Sequence, residues 1–137
     1  MEIDQSKLKH WEANIKWFKY KEFDDPTETN SGLLMNPSFV QIIDHIRYKI
    51  GFPLTINSGY RTETHNVKVG GKQNSAHTKG LACDIQCIDS TTRYLLIKYA
   101  FELGIKRIGI GDTFCHIDGD LDLPQEVIWL YPAGARG

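Results

Sequence analysis

The chain has 137 residues, 41% of them hydrophobic, and its 16 basic and 17 acidic residues leave a formal net charge of -1 at pH 7. This length and apolar content predict a single domain, residues 1–137, with a core of ordinary size. The balanced charge and the lack of a long apolar run exclude a basic nucleic-acid surface and a membrane span, so neither partner is expected.

Two features bear on the compartment in which the chain is made. The first residues lack the basic segment followed by an apolar stretch that marks a secretory signal peptide. Cys83, Cys87 and Cys115 are odd in number and too few for a disulfide framework, so reduced thiols are expected. We therefore expect synthesis in the cytoplasm without a signal peptide.

Two helices are predicted in the first third of the chain. Asp4 is placed to cap a first amphipathic helix of about four turns. Its apolar stripe consists of Leu8, Trp11, Ile15 and Phe18. After a turn-rich connector at residues 24–32, Asn36 and Pro37 mark the start of a second helix, which Gly51 ends.

Short strands and a third helix are predicted in the remainder. The predicted strands are residues 53–57, residues 81–86, Arg107–Ile110, Phe114–Asp118 and Val127–Leu130. Ser90 is the predicted cap of a helix that runs to about Leu103. This order predicts an α+β fold with a small, mostly antiparallel sheet and helices packed on one face.

Two histidines and an aspartate, His77, Asp84 and His116, are candidate metal ligands. Two imidazoles and one carboxylate leave a coordination position open on a zinc ion, as catalytic zinc sites do. Side chains at positions i and i+2 share one face of a strand, so Asp84 should point away from the apolar face. By the same alternation His116 and Asp118 share a face. The neighbouring cysteines then point toward the core, which argues against a cysteine zinc site.

Three motifs together resemble those of a known family. They are Ser75-x-His77-x-x-Gly80-x-Ala82-x-Asp84, His116-x-Asp118 and Ser58-Gly-Tyr-Arg61. Over about residues 18–129 the chain resembles the zinc D-Ala-D-Ala carboxypeptidases and L-alanyl-D-glutamate endopeptidases, which share the Hedgehog/DD-peptidase fold. The resemblance implies that His77, Asp84 and His116 hold Zn²⁺. It also implies that Arg61 stabilises a carbonyl or carboxylate of the substrate.

The function implied by the resemblance is cleavage of a peptide bond in bacterial peptidoglycan, with a zinc-activated water as the nucleophile. Both carboxypeptidase and endopeptidase activity stay open. A monomer is expected, and its peptidoglycan partner would place its action at the cell wall. A phage or prophage lysis enzyme, or a bacterial enzyme exported by another route, would fit these expectations.

The catalytic base is where the chain departs from the family pattern. Many relatives carry Glu or Asp three residues before the last zinc ligand, where this chain has Thr113. Asp112 is the candidate base, and a plain turn residue is the alternative. Asp118 is a second catalytic candidate, for which ordering the His116 ring is favoured over acting as a base.

Four residues are candidate substrate contacts, namely Arg61, Ser75, Gln73 and Tyr60. All but Gln73 have a structural alternative. Ser75 could instead close the loop before the first ligand. Tyr60 could instead belong to the core, and Arg61 could be a solvated surface residue.

Two other functions stay open from the sequence. The missing acid at Thr113 leaves room for a noncatalytic zinc-binding module of the same fold. A structural protein, in which the two histidines and the aspartate only form hydrogen bonds, is the weaker alternative. Arg61, together with three ligands and no obvious fourth, favours an enzyme.

Overall fold

Four α-helices and five strands make up the fold, and the computed structural model describes residues 1–137. The helices are α1 (Gln5–Asn14), α2 (Pro37–Ile50), α3 (Glu63–Lys68) and α4 (Ser90–Glu102). The strands are β1 (Ile56–Ser58), β2 (Ala82–Gln86), β3 (Arg107–Ile110), β4 (Phe114–Asp118) and β5 (Val127–Leu130). Three short 3₁₀ helices span Tyr20–Phe23, Ser31–Leu34 and Ala76–Lys79. None of the helices has both the length and the apolar content needed to cross a membrane.

The strands form one sheet in the order β1-β2-β4-β3-β5. Every neighbouring pair is antiparallel except β3 and β5, which run parallel. The predicted α+β fold with a mostly antiparallel sheet is therefore confirmed. His116 in β4 lies directly opposite Asp84 of β2 on one side and opposite Gly109 of β3 on the other.

One face of the sheet is apolar and lies against the helices. It contributes Cys83, Ile85, Ile108, Cys115 and Ile117 to a core of 20 buried residues. Helices α1, α2 and α4 supply the opposing side chains, which include Trp11, Val40, Ile43, Ile46, Leu96 and Ala100. The longer helices thus pack on one face, as predicted, and the other face is left for polar side chains.

The cysteines lie in this core and are not bonded to one another. Burial raises the pKa of the Cys83 thiol well above its usual value. Burial likewise raises the pKa of Cys115 to about 12. A cysteine binds zinc only as a thiolate, which burial disfavours here. The cysteines beside the ligands face the core, as strand alternation predicted.

Helix α1 is shorter than the four turns that its apolar spacing predicts. Asp4 caps it as expected, because its carboxylate accepts from the backbone N–H groups of Ser6 and Lys7. The helix ends at Asn14, since the Asp44 carboxylate accepts from the next two free amides, those of Lys16 at 2.9 Å and Trp17 at 2.7 Å. This partner lies in α2, so the local pattern could not reveal it.

Other element boundaries shift by a few residues. Asn36 caps α2 and Gly51 ends it with a φ of 84°, both as predicted. Helix α4 is capped by Asp89 in place of Ser90, because the Asp89 carboxylate accepts from the Thr92 amide at 2.9 Å. The first strand is limited to Ile56–Ser58, where the pairing with β2 is irregular.

Candidate active site

A tight turn before β2 brings His77 over the polar face of the sheet. The Ser75 hydroxyl accepts from the His77 backbone N–H at 3.2 Å and so caps the short helix Ala76–Lys79. Gly80 then reverses the chain with a φ of 70°, and a Cβ there would lie 2.6 Å from the Leu34 carbonyl oxygen. Only glycine fits this conformation without strain. The turn therefore fixes His77 above the start of β2.

His77, Asp84 and His116 form a buried group, called here the His-Asp-His cluster. One ligand atom from each residue lies within 4.8 Å of the others, and all three residues are at most 5% exposed. Asp84 Oδ1 lies 3.4 Å from His77 Nε2 and 2.9 Å from His116 Nδ1. A tetrahedral zinc ion with bonds of roughly 2.0–2.1 Å keeps its ligand atoms about 3.3 Å apart. Both distances from Asp84 are close to that requirement.

The His77 ring has one satisfied nitrogen and one free nitrogen. Nδ1 lies 2.8 Å from the Gly59 carbonyl oxygen and must donate to it, which leaves Nε2 buried and without a hydrogen-bond partner. Burial lowers the pKa of His77, so the ring is neutral and Nε2 carries a lone pair. Buried polar atoms without partners are rare in folded proteins. This nitrogen faces Asp84 and fits a metal ion.

The His116 ring is held from both sides. Nδ1 faces Asp84, and Nε2 lies 2.8 Å from Asp118 Oδ2. Burial alone would lower the pKa of His116, but the hydrogen bonds to Asp118 and Asp84 raise it. The other oxygen of Asp118 accepts from Arg107 Nε at 2.7 Å. Asp118 therefore orders the ring from behind, with both of its oxygens engaged.

Asp84 stays charged although it is buried. Burial raises the pKa of this carboxyl, but the hydrogen bond from His116 and the nearby His77 ring outweigh that effect and lower it. Its second oxygen, Oδ2, lies 3.4 Å from Arg61 Nη2. A charged carboxylate between two imidazoles and a guanidinium is the ligand form that a divalent cation requires.

Arg61 is 2% exposed, so it is not a solvated surface residue. Its Nε donates to the Ser58 hydroxyl at 3.1 Å, and its Nη1 donates to Asn66 Oδ1 at 3.2 Å. Nη2 points at Asp84 and also donates to the backbone carbonyl oxygen of Gly137 at 2.6 Å. Burial lowers the pKa of Arg61 and Asp84 raises it, yet a guanidinium keeps its charge in proteins. The side chain is thus a fixed cation beside the cluster.

The other candidate substrate contacts are Ser75, Tyr60 and Gln73. Ser75 has its hydroxyl committed to the turn described above, which is its structural alternative. Tyr60 is half-buried and packs against the core. Gln73 is exposed in the loop before Ser75. A contact between any of these residues and a substrate stays a prediction.

Asp112 lies in the exposed turn between β3 and β4. Its carboxylate accepts from the Gly134 backbone N–H at 3.0 Å, and no hydrogen bond or ion pair joins it to the cluster. Thr113 is exposed, and its carbonyl oxygen accepts from the Cys87 amide. The role of Asp112 as a base also stays a prediction.

An aromatic wall beside His116 was not found from the sequence. The Trp129 and Tyr131 rings lie 5.4 Å and 6.2 Å from the His116 ring. Burial, with Asp84 and Asp118 nearby, raises the pKa of Tyr131 to about 12, so its hydroxyl keeps its proton. Gly109 leaves room for both rings, since a Cβ there would lie 2.6 Å from Trp129 Nε1. Alternation predicts that Trp129 and Tyr131 share a face, but it does not predict that this face adjoins His116.

Two residues that support the site also escaped the sequence analysis. Asn66 in α3 is 3% exposed and fixes the Arg61 guanidinium. Arg107 in β3 pairs with Asp118, and its guanidinium lies 4.9 Å from the centre of the Trp129 ring. Neither residue belongs to a motif, so only the three-dimensional contacts give them a role.

Comparison with known proteins agrees with this geometry. No curated protein matches the chain. Residues 16–118, which include the whole cluster and Arg61, match the family model described as Peptidase M15. That match spans most of the sequence and confirms the family that the motifs resemble. The chain belongs to the Peptidase M15 family, whose members are zinc metallopeptidases.

Proposed function

We propose that the protein is a zinc-dependent peptidase that cleaves a peptide bond in bacterial peptidoglycan. The bond is either the D-Ala-D-Ala bond, as in a carboxypeptidase, or the L-Ala-D-Glu bond, as in an endopeptidase. One observation carries the proposal above the others: the buried, unpartnered Nε2 of His77 faces Asp84 and His116 beside a fixed guanidinium. We further propose that it acts as a monomeric single domain at the cell wall.

His77, Asp84 and His116 are the proposed zinc ligands, through Nε2, the carboxylate and Nδ1. When bound there, zinc would acidify a water molecule and polarise the scissile carbonyl. The second ring nitrogen of each histidine already has a hydrogen-bond partner, which supports this assignment. Gly59 holds the far side of the His77 ring, and Asp118 holds the far side of the His116 ring. Such partners fix the direction in which a ligand nitrogen points.

Arg61 is the proposed partner of the substrate carbonyl or carboxylate oxygen. Its guanidinium is anchored by Ser58 and Asn66, so that Nη2 points toward the cluster. A donor that is already in place stabilises charge on the reacting oxygen without reorganisation. The hydrogen bond from Nη2 to the Gly137 carbonyl oxygen supports this role, because it is the same kind of contact.

Asp112 is the proposed acceptor of the water proton. Both oxygens of Asp118 are engaged by His116 and Arg107, which supports Asp118 as a residue that orders the ligand ring. The Asp112 carboxylate is exposed and has one amide partner, so it is free to move. Gln73, Ser75 and Tyr60 stay proposed contacts along the substrate.

A second function is a zinc-binding module without catalysis. The observation in its favour is the exposed Thr113 in the position where many relatives place an acid. In that case the cluster would hold zinc for stability alone. The two functions differ in turnover and not in metal content.

Mass spectrometry of purified peptidoglycan after incubation with the zinc-loaded protein tests the proposal. We expect release of terminal D-Ala, or new L-Ala and D-Glu ends, and neither product with His116→Ala. Asp112→Asn should keep about one equivalent of zinc and lose turnover, and full activity would remove Asp112 as the base. Zinc binding without any product would favour the noncatalytic module, and no zinc binding would contradict both functions.

A further inference from the structure

Residues 133–137, which follow β5, turn back into the candidate active site. The Ala135 amide donates to the Pro132 carbonyl oxygen at 3.0 Å, and Gly134 has a φ of 77°, which together form the turn. The Gly134 amide donates to the Asp112 carboxylate at 3.0 Å. At the other end, the Gly137 carbonyl oxygen accepts from Arg61 Nη2 at 2.6 Å. The segment therefore bridges two groups to which catalytic roles are assigned above.

Gly137 also lies directly against Asp84. A Cβ added to Gly137 would collide with both oxygens of the Asp84 carboxylate. The Gly137 backbone thus covers a proposed zinc ligand, at a distance that no L-residue with a side chain could reach. One short segment touches the proposed ligand, the proposed oxygen-binding cation and the proposed base.

We infer that residues 133–137 are an intramolecular occupant of the proposed substrate-binding site, competing with substrate for Arg61 and Asp112; this rests on the proposed function. The segment offers a peptide backbone, which is also what a peptidase substrate offers. Its carbonyl oxygen lies on the guanidinium that is proposed to receive the substrate oxygen. An attached ligand of this kind has an effective concentration in the millimolar range, so a few contacts suffice to hold it in place.

The occupant is bound weakly enough to leave. Pro132, Ala133, Gly134 and Arg136 are exposed, and the contacts with the site are two hydrogen bonds and the packing of Gly137. Segments with few buried apolar contacts open at low free-energy cost. A substrate that engages Arg61 and Asp112 together can therefore displace it.

Deletion of residues 133–137 tests the competition in metal-free protein, so that hydrolysis is not needed. The probe is the peptide Ala-Gly-Ala-Arg-Gly, titrated while the Trp129 indole NMR signal is followed. We expect the deletion variant to bind the peptide at least about threefold more tightly than the full chain, because the intramolecular competitor is gone. Equal affinities would overturn the inference.

Gly137→Val keeps the chain length, so it tests the inference even if the deletion variant does not fold. Its branched side chain would collide with Asp84, so this variant should bind the peptide as the deletion does. Ala133→Ser, at an exposed position, is the matched control and should behave as the full chain. Wild-type behaviour of Gly137→Val would overturn the inference.

Kinetics separates this inference from the proposed function. If the protein cleaves peptidoglycan, the deletion should lower KM by a similar factor while kcat stays the same. An unchanged KM would contradict the occupancy and leave the peptidase activity intact. Tighter peptide binding by the deletion variant, without any cleavage, would instead retain the occupancy and contradict the peptidase.

Discussion

At the residue scale, the site consists of buried charges that alternate in sign. Arg107 pairs with Asp118, which orders His116, and His116 faces Asp84, which pairs with Arg61. Removing a charged group from water costs on the order of several kcal/mol. A paired opposite charge offsets part of that cost. The two arginines therefore let two carboxylates remain charged on an otherwise buried face. Loss of any one member removes one partner from each of its neighbours.

Asp118→Asn should weaken zinc binding by about 10- to 100-fold, the usual effect of losing a partner behind a metal-bound histidine. The amide cannot hold both His116 Nε2 and Arg107 as the carboxylate does. Competition for zinc against a chelator measures the change. The control is Asp122→Asn, an exposed aspartate whose only ion pair, with Lys79, is 4.0 Å long. Equal zinc affinity in the two variants would contradict an ordering role for Asp118.

Arg61→Lys should lower kcat/KM on a peptidoglycan peptide by about 100-fold or more, the scale seen when a fixed oxyanion donor is lost. Lysine keeps the charge but cannot bond Ser58, Asn66 and a substrate oxygen at once. Zinc content, measured by elemental analysis, should not change. Arg47→Lys, in α2 and remote from the cluster, is the control for this substitution. A loss of activity that follows loss of zinc would contradict the proposed contact with substrate.

At the scale of helices and strands, the sequence predicted the features that depend on local periodicity. Alternation in β2 and β4 placed Asp84 and His116 on the face opposite Cys83 and Cys115, because only one face of each strand is apolar and belongs to the core. What it missed depends on contacts between distant segments. The end of α1 depends on Asp44, which lies in another helix.

The aromatic wall of Trp129 and Tyr131 also depends on contacts between distant segments. Trp129 comes beside His116 only because β5 pairs in parallel with β3, which puts Trp129 next to Gly109. Gly109 in turn pairs with His116 in β4. Sequence spacing does not indicate which strand joins which edge. The contacts of residues 133–137 with Arg61 and Asp112 follow from the same pairing.

Gly109→Val should displace the aromatic wall while the fold is retained. An added Cβ would lie 2.5 Å from Tyr131 Cε2 and 2.6 Å from Trp129 Nε1, so both rings must move. We expect a loss of about 1–3 kcal/mol in the free energy of unfolding, as for overpacked sites. Chemical denaturation measures it. Gly119→Ala, whose Cβ would meet Phe39 Cδ1 at 3.2 Å, should cost less. Equal costs would mean that the wall does not depend on Gly109.

At the scale of the whole molecule, one face of the sheet stabilises the fold and the other carries the candidate active site. Its apolar face and helices α1, α2 and α4 form the core, and its polar face carries the cluster. A core of 20 buried residues does not include any of the proposed ligands. The protein should therefore fold without metal, unlike small zinc domains that need the ion to fold.

Zinc should then act as a ligand of the folded state and raise its melting temperature. At a free zinc concentration of 100 times Kd, binding adds about 2.7 kcal/mol, or roughly 8 °C for a chain of this size. Calorimetry with and without zinc measures the shift, and a chelator should reverse it. His77→Ala removes the buried, unpartnered nitrogen, so its melting temperature should not respond to zinc. A similar shift in that variant would place the stabilising ion elsewhere, because only an ion held by the cluster depends on His77 Nε2.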